Sequence, residues 1–395
     1  MNHFKVLSPF DGMACAYIAL TEEGHIIDKY VAYEIDEYAI KTSTNNIPMI
    51  EHRGDVFDAN FNEFANFDWV MFGFPCTKFS VAQKKDREVQ PYSGLGWDLF
   101  MQGWRAVKEV KPKYFLIENN YSMAKPVQDE ISRIIGFEPI MIDAAKLSAQ
   151  TRKRIYWCGI RQPDGTYRKA NIPQPEDNGL LLKDVLDYNF KELSEKEINY
   201  MVGDTKGKYS DRWTYLQKPG EKDKACCLTA NIHKGVPYNI VAQPVECIQV
   251  GALPRPDGEL STSQGFRIYA IEGKSVTLKG NAGGAGGKTG LYAIPVEFDG
   301  EIPAEVSCVS EGKTYNVYEV KDKKITVKGK QYPIKLVDGF YIIRKLTVDE
   351  CKRLQGIPDW YDMTAVSTTR ALQQLGNGWC VPVIQHLIKY MIAEG

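Results

Sequence analysis

Hydrophobic and polar positions change their rhythm twice along the chain, which divides it into three stretches. Up to about residue 161, short β-rich runs alternate with segments of helical periodicity. Lys5 to Ser8, Tyr30 to Glu34, Trp69 to Phe72, Tyr114 to Ile117 and Arg154 to Ile160 read as strands. Met13 to Thr21, Glu37 to Asn45, Asp98 to Val110 and Val127 to Ile135 read as helices. Strand and helix in alternation predict an α/β sheet.

From about residue 170 to 345 turn signals multiply: Lys218-Pro219-Gly220, Arg255-Pro256-Asp257-Gly258 and the glycines from Gly280 to Gly290. Short Val/Ile/Tyr/Thr runs lie between them, so an irregular, β-containing second domain is expected. The end of the chain returns to helix. Thr347 with Glu350 forms a capping box for Leu346 to Leu354, and Pro382 opens a last apolar-striped helix.

Composition narrows the class. At 395 residues, the chain exceeds the usual single-core size. No apolar run approaches the roughly 18 residues of a membrane helix. Asp11 sits where the apolar stretch of a secretory signal would run, so a cytoplasmic enzyme is the expectation. Nine cysteines, an odd number without a C-x-x-C pair, argue against a disulfide framework and a zinc site. Adjacent Cys226 and Cys227 read as part of a buried strand.

The formal net charge of -1 conceals an uneven distribution. Residues 1 to 70 carry 4 Lys/Arg against 12 Asp/Glu, or -8, whereas residues 201 to 290 carry 12 against 8, or +4. A polyanion would be repelled by the first segment and tolerated by the second.

Candidate chemistry gathers at strand ends. After the first strand comes Ser8-Pro9-Phe10-Asp11-Gly12-Met13-Ala14-Cys15-Ala16, a strand-turn-helix of the kind that brings backbone close to a nucleotide-like ligand. A full G-x-G-x-x-G is absent, so a plain strand-to-helix turn is the competing reading. Glu34, in Tyr33-Glu34-Ile35-Asp36, closes the second strand where an acid can accept from both ribose hydroxyls. Phe72-Gly73-Phe74-Pro75-Cys76-Thr77-Lys78-Phe79-Ser80 puts a thiol just past a third strand, and Phe115-Leu116-Ile117-Glu118-Asn119-Asn120 puts a carboxyl at the end of a fourth. Gln150-Thr151-Arg152-Lys153-Arg154 places two arginines on one strand face.

Taken together and in order, these blocks resemble the DNA cytosine-5 methyltransferase family, bacterial or phage type. The resemblance extends through Arg344-Lys345-Leu346-Thr347 and Arg353-Leu354-Gln355-Gly356-Ile357-Pro358-Asp359-Trp360-Tyr361 to Leu375-Gly376-Asn377-Gly378. It implies a Rossmann-like, S-adenosylmethionine-dependent α/β domain over 1–175, completed by 370–395, with a target-recognition domain over 176–369. By the same resemblance, Phe10, Asp11, Gly12 and Met13 would line the methyl-donor pocket, with Glu34 on the ribose and Ile35 against the adenine. Asp55 and Val56 would meet the adenine edge; Leu99, Asn377 and Gly378 would complete the pocket. Cys76 is similar to the family nucleophile, Glu118 to the glutamate on the cytosine N3/N4 edge and Arg154 to the arginine on O2, with Arg152 supporting them.

Chemistry gives that set a rationale. Cytosine C5 is too poor a nucleophile to take a methyl group unaided, and thiolate addition at C6 makes it electron-rich. Charge then builds on N3 and O2, where Glu118 and Arg154 would stabilise it. The base must first leave the duplex stack.

The polar segment from Val81 to Trp97 reads as a lid that closes over DNA, or as an ordinary solvated loop. In the middle domain, Ser263-Gln264-Gly265-Phe266-Arg267-Ile268-Tyr269 and Ser275-Val276-Thr277-Leu278 look like a bacterial target-recognition element. Gln264 would fill the gap left by the flipped base, Arg267 would face base edges, and Ser80 and Thr277 would also meet DNA.

Thr77 stands where the family usually has Gln, Ala14 and Cys15 replace common glycines, Asn120 replaces an aliphatic residue, and Trp379 is bulkier than usual. Residues 296 to 340 match no block, and Lys324-Ile325-Thr326-Val327-Lys328 predicts an inserted β hairpin. The expected enzyme is a monomer on double-stranded DNA, with no metal and no membrane; a cognate restriction endonuclease is a candidate partner. Competing readings are a tRNA cytosine-5 methyltransferase and a non-catalytic DNA-binding relative.

Overall fold

A computed structural model describes residues 1–75, 90–185, 240–244, 249–252, 267–270, 291–293, 306–310, 313–327, 329–333 and 338–395. Cys76, Ser80, Gln264, Thr277 and the Cys226–Cys227 pair lie outside the described residues, as does most of the expected lid.

The first unit holds β1 (His3–Pro9), β2 (Ile26–Tyr33), β3 (Glu51–His52), β4 (Trp69–Gly73), β5 (Tyr114–Asn120), β6 (Ile140–Asp143), β7 (Lys153–Arg161) and β8 (Tyr167–Lys169). Its sheet runs β3-β2-β1-β4-β5-β7-β6, with β8 paired to β7. Strands β1 to β5 are parallel, and β7 runs antiparallel to β5 and β6. Strand β4 and most of β5 are apolar without alternation, because a central parallel strand is covered on both faces. From β1 the chain winds outward through β2 and β3, then returns to β4 on the other side. That reversal opens a crevice at the carboxyl ends of β1 and β4, where open α/β sheets bind ligands.

Helices α1 (Cys15–Glu22), α2 (Glu37–Asn46), α3 (Leu95–Val110) and α4 (Lys125–Ile135) connect the strands; α5 (Val348–Gln355), α6 (Thr368–Asn377) and α7 (Val381–Glu394) return from the far end. Asp36 caps α2 by accepting from Tyr38 N and Ala39 N. Gly136, at φ 100°, ends α4. Helix α3 starts at Leu95, so the expected lid loses its last residues to a helix whose Trp97 is buried. No helix among the described residues is long and apolar enough to cross a membrane.

Contacts separate two compact units. The described residues of the first are 1–75, 90–185 and 348–395; those of the second fall between Gly235 and Thr347. The first unit thus resumes at Val348, earlier than the expected 370. The reason is α5, which buries Cys351, Leu354 and Gln355 and packs on α6.

The second unit contains β9 (Ile240–Pro244), β10 (Gln249–Ala252), β11 (Arg267–Ala270), β12 (Leu291–Ala293), β13 (Val306–Ser310), β14 (Lys313–Lys321), β15 (Lys324–Val327), β16 (Lys330–Pro333) and β17 (Gly339–Lys345). They form a small β10-β11-β12 sheet and a larger antiparallel sheet ordered β16-β15-β14-β17-β9, with β13 on β14. The hairpin expected around Lys324 is β14-β15, extended by β16. Arg267 begins β11.

Candidate active site

The crevice is a cavity of about 600 Å³. All eleven residues expected at the methyl donor line it: Phe10, Asp11, Gly12, Met13, Glu34, Ile35, Asp55, Val56, Leu99, Asn377 and Gly378. Glu118, Arg152 and Arg154 line it as well. Described residues of the cysteine segment, Gly73, Phe74 and Pro75, reach the same wall.

The donor end is built by unusual backbone. Phe10, Gly12 and Ala14 all take left-handed conformations, with φ between 56° and 61°. Gly12 does so freely, while Phe10 and Ala14 carry strain of the kind that gathers at ligand sites. The coil lets Gly12 N donate to Glu34 Oε2 at 2.8 Å. Ile35 N and Asp36 N both donate to Glu34 Oε1 at 2.8 Å. Three amides therefore fix this carboxylate at the end of β2, and the lone pair left on Oε2 is open to a ligand hydroxyl.

Beneath the coil lies Asp11. Its Oδ1 accepts from Tyr30 Oη at 2.5 Å, while Oδ2 is sealed from solvent without a hydrogen-bond partner. Burial pushes its carboxyl up to about 7, against the pull of Tyr30 and Ser8, and the Glu34 charge adds to the rise.

Asp55 caps the 3₁₀ turn Val56–Asp58 by accepting from Phe57 N at 3.0 Å. Arg105 of α3 holds that turn from behind, donating from Nη2 to Val56 O and Ala59 O, both at 3.1 Å. Two large apolar side chains stay open here: Ile35 is 73% exposed and Phe57 46%. Exposed aliphatic and aromatic groups beside a polar wall suit a flat, partly polar ring. Gln374 also lines the cavity, with both carboxamide atoms buried and unpartnered. Orphaned polar groups, open apolar surface and an acid aimed for hydroxyls fit a nucleoside-bearing donor such as S-adenosylmethionine.

At the other end, Gly73 of β4 is in register with Glu118 of β5. Arg154, the second residue of β7, pairs with Glu118 through Nε and Oε1 at 3.0 Å, and both side chains are only 12% exposed. A Cβ on Gly73 would come within 2.7 Å of both Glu118 Oε2 and Trp379 Nε1. This glycine therefore leaves the space that the acid and the indole both border. Buried Asn119 donates from Nδ2 to Phe74 O at 3.0 Å and so anchors the chain two residues before Cys76.

Arg152 does something different from Arg154. Its Nη2 donates to Gly376 O at 3.2 Å and Gly378 O at 2.8 Å, the carbonyls flanking Asn377. Gln355 Nε2 donates to Leu375 O and, at 3.3 Å, to Gly378 O. Gln150 Nε2 donates to Gln355 Oε1 at 2.8 Å and Leu354 O at 2.6 Å. Tyr361 Oη donates to Met13 O at 2.7 Å. Buried polar groups thus bind the distant C-terminal wall to the donor coil and to the start of β7.

Sequence reasoning did not single out Phe57, Arg105, Asn119 or Gln374. Arg105 and Asn119 act through contacts distant in sequence, while Phe57 and Gln374 matter only because the fold places them on the cavity wall. Gln150, Gln355 and Tyr361 stood within recognised blocks, and only the fold shows what they hold.

A model of the C-5 cytosine-specific DNA methylase family matches residues 4–393. The chain is 27% identical over 318 residues to the orphan methyltransferase M.Rho11sI of Bacillus phage rho11s, a match covering 74% of this chain and 61% of that protein. It is 24% identical to the orphan methyltransferase M.SPRI of Bacillus phage SPR, covering 99% of this chain and 98% of the relative. With the type II methyltransferase M.HhaI of Haemophilus parahaemolyticus it shares 23% identity, over 90% and 84% of the two chains. Among solved structures, the fold is similar to Entamoeba histolytica methyltransferase EhMeth, with a TM-score of 0.56, 13% identity and coverage of 100% and 99%. It is also similar to the S. pombe Dnmt2 methyltransferase, with a TM-score of 0.53, 13% identity and 99% coverage of each chain.

Proposed function

The chain belongs to the C-5 cytosine-specific DNA methylases, a family dependent on S-adenosylmethionine, and we propose how its own residues divide the work. Cys76 is the nucleophile, Glu118 and Arg154 grip the flipped cytosine, and the cavity around Glu34 holds the donor. The single observation carrying this assignment is the Glu118–Arg154 pair, set in the same cavity as the Glu34 carboxylate and the residues leading to Cys76.

In this reading the Cys76 thiolate adds to cytosine C6, and the ring's electrons shift toward N3 and O2. Oε1 of Glu118 is committed to Arg154, which leaves Oε2 for the N3/N4 edge. The Arg154 guanidinium, held by Glu118 through Nε, is the cation for O2. Both are preorganised where charge develops. When bound, S-adenosylmethionine supplies an electrophilic methyl group for C5. Loss of the C5 proton and expulsion of the thiolate then restore the aromatic ring. Glu34 orients the donor ribose, while Ile35, Val56 and Phe57 enclose its base with Asp55 at the edge. Phe10 to Met13, Leu99, Asn377 and Gly378 enclose the rest. Arg152 is a positioning residue for that last wall.

The second unit serves as the target-recognition domain, with Gln264, Arg267 and Thr277 on the DNA and Ser80 near the nucleophile. The substrate is duplex DNA, met by a monomer in the cytoplasm. Two relatives are orphan methyltransferases, one matched along 99% of this chain, which supports action without a cognate endonuclease.

Trapping on a duplex containing 5-fluorocytosine tests the assignment. Without a removable C5 proton the adduct persists, so a denaturation-resistant complex is expected for the natural protein and none for Cys76→Ser. An adduct in that variant would remove Cys76 from its role. Equal methylation of tRNA and duplex DNA in parallel would overturn the choice of substrate.

A further inference from the structure

The inserted hairpin near residue 320 is built in a way that its own stability does not explain. Strands β14 and β15 are joined by the two-residue turn Asp322–Lys323, with φ of 52° and 56°. Positive φ at both positions is the turn that normally calls for Asn-Gly or Asp-Gly, yet a lysine occupies the second. On either side of it, Lys321 and Lys324 stand directly opposite each other in the ladder, where like charges repel.

All three lysines are exposed, and among the described residues none makes an ion pair. Two acids share the tip: Asp322, within the turn itself, and Asp338, just before β17, whose charge interacts with Lys321 and Lys323. Asp338 Oδ2 accepts from Asp322 N at 3.0 Å and its Oδ1 from Lys323 N at 3.1 Å. Those backbone bonds lock the turn that carries the three lysines.

A lysine at a sheet edge can serve simply to prevent strand pairing. That purpose does not call for a left-handed lysine or a facing lysine pair at a turn. Three exposed lysines against two acids leave net positive charge on a locked turn, which suits a polyanion, and this enzyme's substrate is one. We propose that Lys321, Lys323 and Lys324 form a sequence-independent contact with the phosphate backbone of duplex DNA, separate from the residues that read bases.

The test uses the full-length protein and an alternating dA–dT duplex, which has no cytosine and so reports backbone binding alone. The triple variant Lys321→Gln/Lys323→Gln/Lys324→Gln is compared with the corresponding triple Arg variant between 50 and 200 mM salt. Three lost phosphate contacts lower the slope of log affinity against log salt by about 2.7. The deficit of the Gln variant then grows ~40-fold from the higher salt to the lower. The Arg variant keeps the natural slope, and Lys323→Gln alone loses about 0.9. On a cytosine-containing substrate, the Gln variant keeps its kcat and site preference while its KM for DNA rises. An unchanged slope in the Gln variant overturns the proposal, especially with a higher melting temperature, which would mark the lysines as a structural cost only. An equal loss in the Arg variant overturns the charge argument. No binding of the duplex by the natural protein would instead refute backbone binding by this enzyme.

Discussion

Asp11→Asn should change how stability depends on pH. The carboxyl lies under the donor coil with Oδ2 sealed and unpartnered, and burial lifts it from an ordinary 3.8 to about 7. The folded protein therefore retains a proton that the unfolded chain releases above about pH 4. As pH rises from 4 to 7 the unfolded state is progressively favoured, so stability present at low pH is lost through the folded-state pKa. A tenfold change in proton affinity is worth about 1.4 kcal/mol, so the rise from 3.8 to about 7 sets an upper bound of about 4 kcal/mol.

Asparagine resembles the protonated acid in shape and keeps an oxygen acceptor for Tyr30, but it does not titrate. Denaturant unfolding at closely spaced steps from about pH 4.5 to 8 would follow the stability difference between the two proteins. The natural protein should lose ground to Asp11→Asn as pH rises, with the difference levelling off above about 7. A difference independent of pH, or one moving the opposite way, would refute the account of a buried, proton-holding acid.

Two further substitutions probe the cavity walls. Gly73→Ala inserts a methyl group against Glu118 Oε2 and Trp379 Nε1, both side-chain termini that can move. Displacing two side-chain ends costs little stability, whereas a misplacement of about 1 Å in a site costs up to ~100-fold in rate, so a roughly 10- to 100-fold fall in turnover with a small change in melting temperature is expected; full activity would show that this space is not used. Gln355→Leu leaves the carbonyls of Leu375 and Gly378 without this donor. At about 1–3 kcal/mol per unsatisfied buried group, the donor KM should rise at least tenfold while kcat falls less, as steady-state kinetics would show; an unchanged KM would detach the amide network from donor binding.

Much of this architecture is legible in the sequence because parallel strands declare themselves. Trp69 to Phe72 and Tyr114 to Ile117 are uninterrupted apolar runs, and the reactive groups follow them at the sheet edge. Strand β6 was not legible: only Ile142 of its four residues is buried, which leaves no period to detect. Helix α6 was missed for another reason. Its cap is Ser367, and its buried residues include Gln374 and Gly376, which no hydrophobic template counts. Phe57 and Arg105 escaped because their roles depend on a 3₁₀ turn meeting α3 from far along the chain, a relation set by tertiary packing. The boundary near 348 was misplaced because α5 reads locally like any capped helix, and only its packing on α6 assigns it to the first unit.

The tethers of the donor wall also suggest how the two parts of the enzyme can be varied separately. Gln150, Gln355, Arg152 and Tyr361 bond to groups that all belong to the first unit. The bonds that lock the lysine turn begin and end in the second. Changes that share no partner add to within about 0.3–0.5 kcal/mol. Combining Gln355→Leu with the three Lys→Gln substitutions should therefore raise the donor KM as Gln355→Leu does alone and flatten the salt slope as the lysine changes do alone. A combined variant whose donor KM depends on the lysines would show that DNA-backbone contact is transmitted to the donor wall, and independent walls would then be the wrong description.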